Sequence, residues 1–136
     1  HGPATDRDLA RWAGLPLRDV RRGLALAAPQ VADVGGGLVD LAVREPAAPL
    51  PRPRLLGSFE PVLLGWTSRD DVVGPETGLV TVNGIFRPFA MVDGRAVATW
   101  TLDRGRAVVT PFAPLDDAAA GALAEDGGAV VRWLAG

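Results

Sequence analysis

The sequence predicts an α+β protein in which a helical front part is followed by an antiparallel β-meander or small β-barrel with flanking helices. Three observations support this fold class. Short stretches with helical apolar spacing precede residue 43. Four prolines are crowded into residues 44–54. Three turn dipeptides divide residues 79–112, where the intervening residues are mostly of types that favour strands.

The first 43 residues predict two helices and a hairpin. Thr5 precedes an acidic stretch and is a suitable N-cap for a short helix that Gly14 ends. Apolar residues at helical spacing predict a second helix over residues 17–26. The glycines at 35–37 separate two apolar stretches and predict a hairpin over residues 31–41. This order is that of a winged helix from its second helix onward, so we assign residues 1–43 to a truncated winged-helix domain.

The rest of the chain is predicted to be a linker and a second subdomain. Residues 44–54 form the proline-rich linker, in an extended conformation. Residues 55–136 form a small β-barrel or meander subdomain with a C-terminal helix, and short helices are expected at 61–66 and 68–72. The terminal helix starts at Asp116-Asp117, and Gly127-Gly128 is expected to break or end it.

Residues 79–112 predict four antiparallel strands. Asn83-Gly84 and Asp93-Gly94 accept positive φ at both central positions of a type I′ turn, and Arg104-Gly105 is a weaker third turn. Two-residue periodicity predicts an apolar face packed in the core, formed by Phe86, Ala90, Val92, Ala96, Ala98, Trp100 and Leu102. Arg87 and Arg95 fall on the opposite face.

Composition restricts the class of protein. Of the 136 residues, 48% are apolar, which is enough for a buried core. No apolar run reaches the roughly 18 to 20 residues of a membrane span, and no secretory signal is present, so we expect a cytoplasmic protein that does not bind membranes. Cysteine is absent, and every basic side chain is arginine. The net charge of −2 excludes a uniformly basic nucleic-acid binder, but the front part is richer in arginine than the tail.

Two groups of polar residues are candidate DNA contacts. The predicted helix over residues 17–26 exposes Arg18, Arg21 and Arg22, as a recognition helix would toward phosphates or guanine edges. The meander and its turns carry the second group, which consists of Asn83, Arg87, Arg95, Arg104 and Arg106. That group could brace or enter a DNA groove. In both places the alternative is an ordinary solvated face.

Other chemistry has little support in the sequence. His1 alone completes neither a catalytic triad nor a metal site, and Asp70-Asp71 are better explained as the start of a short helix. The glycine motifs that hold nucleotide phosphates do not occur. We therefore predict no catalytic residue, no metal site and no cofactor in this chain.

A specific pattern of residues is spread over most of positions 2–112, comprising Gly2-Pro3-Ala4-Thr5, Leu9, Trp12, Gly14, Leu15, Leu55-Leu56, Phe59, Leu63-Leu64-Gly65-Trp66, Arg69, Asn83-Gly84, Arg87-Pro88, Val92-Asp93-Gly94 and Thr99-Trp100. Through this pattern the chain resembles the bacterial winged-helix DNA-binding proteins related to the DNA glycosylases that excise bulky alkylated bases and unhook interstrand crosslinks. Members of that family are longer, with tandem winged helices followed by a small β-barrel. The resemblance therefore covers their C-terminal portion.

The resemblance implies double-stranded DNA as a partner, with a hairpin of the C-terminal barrel close to it. It also implies that the glycosylase chemistry, which rests on two glutamines one residue apart, belongs to the N-terminal winged-helix portion of the parent. The only glutamine of this chain is Gln30. We expect a DNA-binding fragment of a DNA-repair glycosylase-like protein that is not catalytic by itself. We also expect this fragment to contact the N-terminal portion of the parent, including a first helix of the wing motif. The alternatives are a structural or protein-interaction module of the same parent, including a homodimer of the fragment, and a winged-helix transcription regulator.

Overall fold

The structure is a computed structural model that describes residues 2–46, 48–74, 78–81 and 83–136. The chain forms two compact units. The first unit contains His1–Ala48 and Pro61–Ser68, and the second contains Pro49–Glu60 and Arg69–Gly136.

The first unit combines short helices with a three-stranded antiparallel sheet. Its elements are β1 (Ala4–Thr5), α1 (Asp6–Ala13), α2 (Leu17–Leu26), β2 (Val31–Gly35), β3 (Leu38–Leu41) and α3 (Pro61–Leu64). The sheet order is β1-β3-β2, so β1 pairs with the second strand of the predicted hairpin. The two predicted front helices and the hairpin are confirmed, whereas the helix expected at 61–66 ends two residues earlier.

The cap of α1 organises this unit around one buried carboxylate. The Thr5 hydroxyl oxygen accepts the Asp8 N–H at 3.1 Å, and Asp8 Oδ2 accepts the Thr5 N–H at 2.9 Å, which completes a capping box. Asp8 Oδ1 accepts the N–H of Thr67 at 2.7 Å and its hydroxyl at 2.8 Å. Asp8 is only 5% exposed. Through its hydrogen bonds to Thr67 it joins the start of α1 to a segment 59 residues further along the chain. Gly14, with φ 65°, ends α1 as predicted.

The second unit is a four-stranded antiparallel sheet with one long helix and one short helix. Its elements are β4 (Arg54–Leu56), α4 (Asp70–Val73), β5 (Phe89–Val92), β6 (Arg95–Asp103), β7 (Arg106–Pro111) and α5 (Asp117–Leu134). The sheet order is β4-β5-β6-β7. Both residues of Asp93-Gly94 and of Arg104-Gly105 have positive φ, which confirms the two predicted hairpin turns.

The predicted closed barrel is wrong for the part of the chain that the structure describes, because the sheet is open, with β4 and β7 at its edges. The fourth strand is also not the one predicted. Pro88 has no N–H for a ladder and interrupts the predicted strand, so β5 begins at Phe89 and its free side pairs with β4.

The segment predicted as the first strand of the meander makes one isolated bridge, between Val80 and Phe86. The Gly84 N–H donates to the Thr81 carbonyl, and the Thr81 N–H donates to the Ile85 carbonyl. Gly84 has positive φ, and these hydrogen bonds close a loop of three residues between Thr81 and Ile85, which is one residue longer than a type I′ hairpin loop. The type I′ turn predicted for Asn83-Gly84 is therefore wrong. Val82 lies outside the described residues.

The core of the second unit lies between the sheet and α5. Ala90, Ala98 and Leu123 are buried with Leu55, and Trp100 packs against them while its Nε1–H donates to the Leu56 carbonyl at 2.8 Å. The predicted apolar face is thus present over most of its length. Leu102 is the exception, because it is half exposed near the end of β6.

Helix α5 continues through Gly127-Gly128, so the predicted break is wrong. Gly127 is buried where α5 crosses the sheet, and a Cβ added there would lie 3.0 Å from the Ala107 Cβ and 3.5 Å from Leu55 Cδ1. Helix and sheet approach closely at this point because the side chain is only a hydrogen. Tertiary packing therefore outweighs the low helix propensity of glycine.

We expect Gly127→Ala to lower the free energy of unfolding by about 1 kcal/mol, because the added methyl overpacks the contact with Ala107 by more than helix propensity returns. Gly121→Ala is the matched control, since Gly121 lies on the same helix with nothing within 4 Å. The control should gain about 0.5 to 1 kcal/mol. Urea unfolding measures both variants, and equal gains would contradict the packing explanation.

Candidate nucleic-acid interface

Helix α2 presents two arginines on one exposed face. Val20 is 3% exposed and faces the interior, whereas Arg18 and Arg22, four residues apart, lie on the solvent side. Arg18 Nε lies 3.5 Å from an oxygen of Asp19, and both side chains are largely exposed. Within the described part of the chain, Arg22 forms no ion pair. These two guanidinium groups can therefore meet a phosphate without breaking a buried interaction.

Arg21 has a different role from its neighbours. Its Nε donates to Asp6 Oδ2 at 2.7 Å, which ties α2 to the start of α1. The hydrogen bond from Arg21 holds the pKa of Asp6 below its usual value. Arg21 positions α2, although its side chain remains 61% exposed.

The hairpin of β2 and β3 ends in glycines. Gly35, Gly36 and Gly37 all have positive φ, as the predicted tight turn requires. Asp33 accepts the Gly35 N–H at 2.7 Å, so the side chain that caps this tip is acidic. An acidic, glycine-lined tip repels phosphates, so α2 is the stronger candidate contact in this unit.

In the second unit the predicted residues are divided between the two ends of the sheet. Arg104 and Arg106 lie at the β6–β7 turn. Arg87 precedes β5 toward the same end of the sheet, because the Trp100 N–H donates to the carbonyl of Pro88 and Trp100 lies in the second half of β6. Arg95 begins β6 at the other end. At about 3.3 Å per residue, the eight steps from Arg95 to Asp103 span roughly 26 Å. The structure therefore brings Arg87, Arg104 and Arg106 toward one end and separates Arg95 from them.

Variants at Arg104 and Arg106 distinguish the effect of the turn conformation on stability from the effect of removing a positive charge. Arg104 has φ 46°, a left-handed conformation in which asparagine is favoured over arginine. We expect Arg104→Asn to raise the free energy of unfolding by about 0.5 to 1 kcal/mol while removing one positive charge. Arg106→Asn removes the same charge from a strand position and should give no such gain. Urea unfolding of both variants checks this, and a less stable Arg104→Asn protein would contradict it.

A further group of arginines lies at positions for which the sequence predicted no role. Arg52, Arg54 and Arg132 line a groove of about 240 Å³ between β4 and α5, together with Glu125 and Asp126. Asp126 Oδ2 accepts the Leu55 N–H at 2.7 Å and so fixes the edge strand to the helix. The two halves of this groove are about 70 residues apart in the sequence, so no local pattern could reveal it. Three positive and two negative side chains leave the groove nearly balanced in charge.

The remaining predicted residues take structural positions. Asp70 and Asp71 lie in the first turn of α4, as expected of helix-start residues. The described residues contain no group of three or more His, Cys, Asp or Glu side chains placed to hold a metal ion. None of the helices described here has both the length and the apolar content that crossing a membrane would need.

Comparison with known proteins decides the family. The model of the family "DNA glycosylase AlkZ-like" matches residues 1–133. The chain belongs to the AlkZ-like DNA glycosylase family. This agrees with the resemblance carried by the residues at positions 2–112.

Two comparisons show how much of a family member this chain represents. The interstrand DNA cross-link repair glycosylase of Streptomyces sahachiroi is 31% identical over 125 residues, which cover 82% of this chain and 34% of that protein. The solved structure of Streptomyces sahachiroi DNA glycosylase AlkZ superposes with a TM-score of 0.77 at 28% identity, over 96% of this chain and 39% of that one. The chain thus spans little more than a third of the length of these AlkZ-like relatives.

Proposed function

We propose that this chain binds double-stranded DNA through exposed arginines, and that it does so as a non-catalytic C-terminal part of a winged-helix DNA glycosylase. The observation that carries the proposal is the solvent face of α2, where Arg18 and Arg22 lie side by side in a member of a DNA glycosylase family. Arginine at exposed helix positions contacts phosphates and guanine edges.

The order of elements in the first unit supports a winged helix. A strand, two helices and a hairpin follow one another, and the first strand pairs with the last. In that motif the second helix of the helix-turn-helix enters the major groove, and α2 occupies this position. The ion pair between Arg21 and Asp6 would then hold α2 at a fixed angle to α1.

The proposal that this chain is not catalytic rests on its single glutamine. The family resemblance places the excision chemistry on two glutamines one residue apart, and Gln30 is the only glutamine of this sequence. Gln30 is exposed in the turn between α2 and β2. It has no second amide beside it in the sequence with which to complete such a pair.

A paired binding and excision assay tests the proposal. Fluorescence anisotropy with an undamaged duplex should give a dissociation constant of about 10⁻⁴ to 10⁻⁶ M at physiological salt, as for binding dominated by phosphate contacts. The same preparation should release no base from an alkylated duplex. Base release by this chain would contradict the non-catalytic part, and failure to bind any duplex at low salt would contradict the DNA-binding part.

A further inference from the structure

An exposed aromatic residue follows the first strand of the second unit. Phe59 lies in the turn after β4, and its side chain is 52% exposed. Its backbone has φ 59°, which lies in the left-handed region that bulky residues rarely adopt. The Glu60 side chain braces this turn, because its Oε1 accepts the Gly57 N–H at 3.3 Å. Glycine would take this conformation without strain, so the turn alone does not explain a phenylalanine here.

The conformation of Phe59 differs in kind from the other left-handed residues. Among the described residues, Asp93 and Arg104 are the other non-glycine residues with positive φ. Both are polar and begin two-residue hairpin turns, which require positive φ at both central positions. Phe59 is apolar and belongs to no hairpin. Backbone strain of this kind is concentrated at ligand-binding sites, where it holds a side chain in its working position.

A buried ring and a guanidinium group lie beside Phe59. The ring centroids of Phe59 and Phe86 are 5.5 Å apart, and the two ring planes are inclined at 61°. Phe86 is only 8% exposed, and the guanidinium carbon of Arg69 lies 5.1 Å from its ring centroid. Because the two rings do not stack face to face and half of Phe59 is exposed, part of its π surface stays open to solvent. We call these three residues the aromatic cluster.

The chemistry of the aromatic cluster selects a nucleobase as its ligand. An exposed aromatic ring with an arginine nearby is the combination on which proteins stack bases. One half-exposed ring is too small for a protein interface, which takes about 800 Å² from each partner, but it matches one face of a base. A base inside a duplex already has both faces covered by its neighbours. Building on the DNA binding proposed above, we propose that Phe59 stacks on a nucleobase that has left the duplex stack.

Binding of two duplexes to the full 136-residue chain tests this inference. The duplexes have the same sequence, and one of them carries a single unpaired adenine. Anisotropy should show roughly tenfold tighter binding of the duplex with the unpaired base, as expected of one base stacked on an aromatic ring. Phe59→Ala should abolish this preference and leave binding of the fully paired duplex unchanged. Phe59→Trp should keep the preference, because it keeps an aromatic face.

Matched variants separate base stacking from packing and from general aromatic exposure. Phe59→Leu retains apolar bulk over Phe86 without an aromatic ring, so it should also lose the preference, and it replaces Phe59→Ala if that variant does not fold. Trp133→Ala removes an aromatic side chain of the same unit that is 81% exposed at the end of α5, and it should leave the preference intact.

The possible results also distinguish this inference from the DNA-binding proposal. Equal wild-type binding of both duplexes, a preference that survives in Phe59→Ala and Phe59→Leu, or equal losses for Phe59→Ala and Trp133→Ala would overturn the stacking role alone. Equal weakening of both duplexes by Phe59→Ala would also overturn it, because the ring would then contact paired DNA. If neither duplex bound at low salt, both the stacking role and the DNA-binding proposal would fail.

Discussion

Replacing Asp8 by asparagine should lower the free energy of unfolding by about 2 to 3 kcal/mol. The two carboxylate oxygens of Asp8 accept from the N–H and hydroxyl of Thr5 and of Thr67, and the side chain is almost fully buried. Asparagine keeps the shape but replaces one oxygen by an NH₂ group, which must face donors whichever way the amide points. The capping box of α1 and the link to Thr67 cannot both survive.

The same site makes stability depend on pH. Burial alone would raise the pKa of Asp8, but the hydrogen bonds from Thr5 and Thr67 outweigh it and hold the pKa well below its ordinary value of 3.8. A depressed carboxyl pKa in the folded state stabilises the protein above the unfolded pKa, and this stabilisation is lost as the pH falls below about 4. The free energy of unfolding of the wild-type chain, measured by urea titration, should therefore fall steeply below pH 4. That of Asp8→Asn should fall less over the same pH range.

Asp19→Asn is the control for this prediction. Asp19 is also an acidic residue in the first turn of a helix, but its side chain is 53% exposed and its partner Arg18 is more exposed still. Its replacement should change stability far less and should leave the pH dependence intact. Equal losses for Asp8→Asn and Asp19→Asn would show that Asp8 is not the anchor that the hydrogen bonds indicate.

The double variant Arg18→Ala/Arg22→Ala should weaken duplex DNA binding by roughly 50-fold near 0.1 M salt, if each arginine contacts one phosphate. Both side chains lie on the solvent face of α2, so stability should remain nearly unchanged. The slope of log K against log salt should become shallower by about 1.8, because each lost contact removes about 0.9.

The control for net charge is Arg11→Ala/Arg44→Ala. Arg11 is exposed in the last turn of α1, and Arg44 pairs with Asp40 at 2.7 Å. This double variant removes the same two charges from outside α2, so binding should change by a few-fold at most. If the two double variants weakened binding equally, the affinity would reflect total charge and not a surface on α2.

The sequence predicted correctly those caps and turns that a few adjacent residues determine. The Thr5 cap, the Gly14 stop and the two type I′ hairpin turns are each fixed by a few adjacent residues, and all are present. The predictions were wrong where contacts between residues far apart in the sequence determine the structure. Strand β4 takes the free side of β5, Asp126 binds the N–H of Leu55 across 71 residues, and Gly127 stays helical because it fits against Ala107. No pattern within a window of the sequence contains these contacts.

The candidate site was predictable in residue type but not in arrangement. Exposure of Arg18 and Arg22 followed from helical periodicity. That Arg21 is bonded to Asp6, 15 residues away, required the packing of α1 on α2. The separation of Arg95 from Arg104 and Arg106 required the length of β6 and the position of its turns. Which of these arginines contact DNA stays a prediction.

The most direct test of DNA binding by exposed arginines is a salt titration of this chain with duplexes of two unrelated sequences. We predict a linear decline of log K with log salt, with a slope of about −2 or steeper that is the same for both duplexes, and a shallower slope for Arg18→Ala/Arg22→Ala. A slope near zero, or no binding of either duplex at about 50 mM salt, would contradict the proposal that exposed arginines hold DNA.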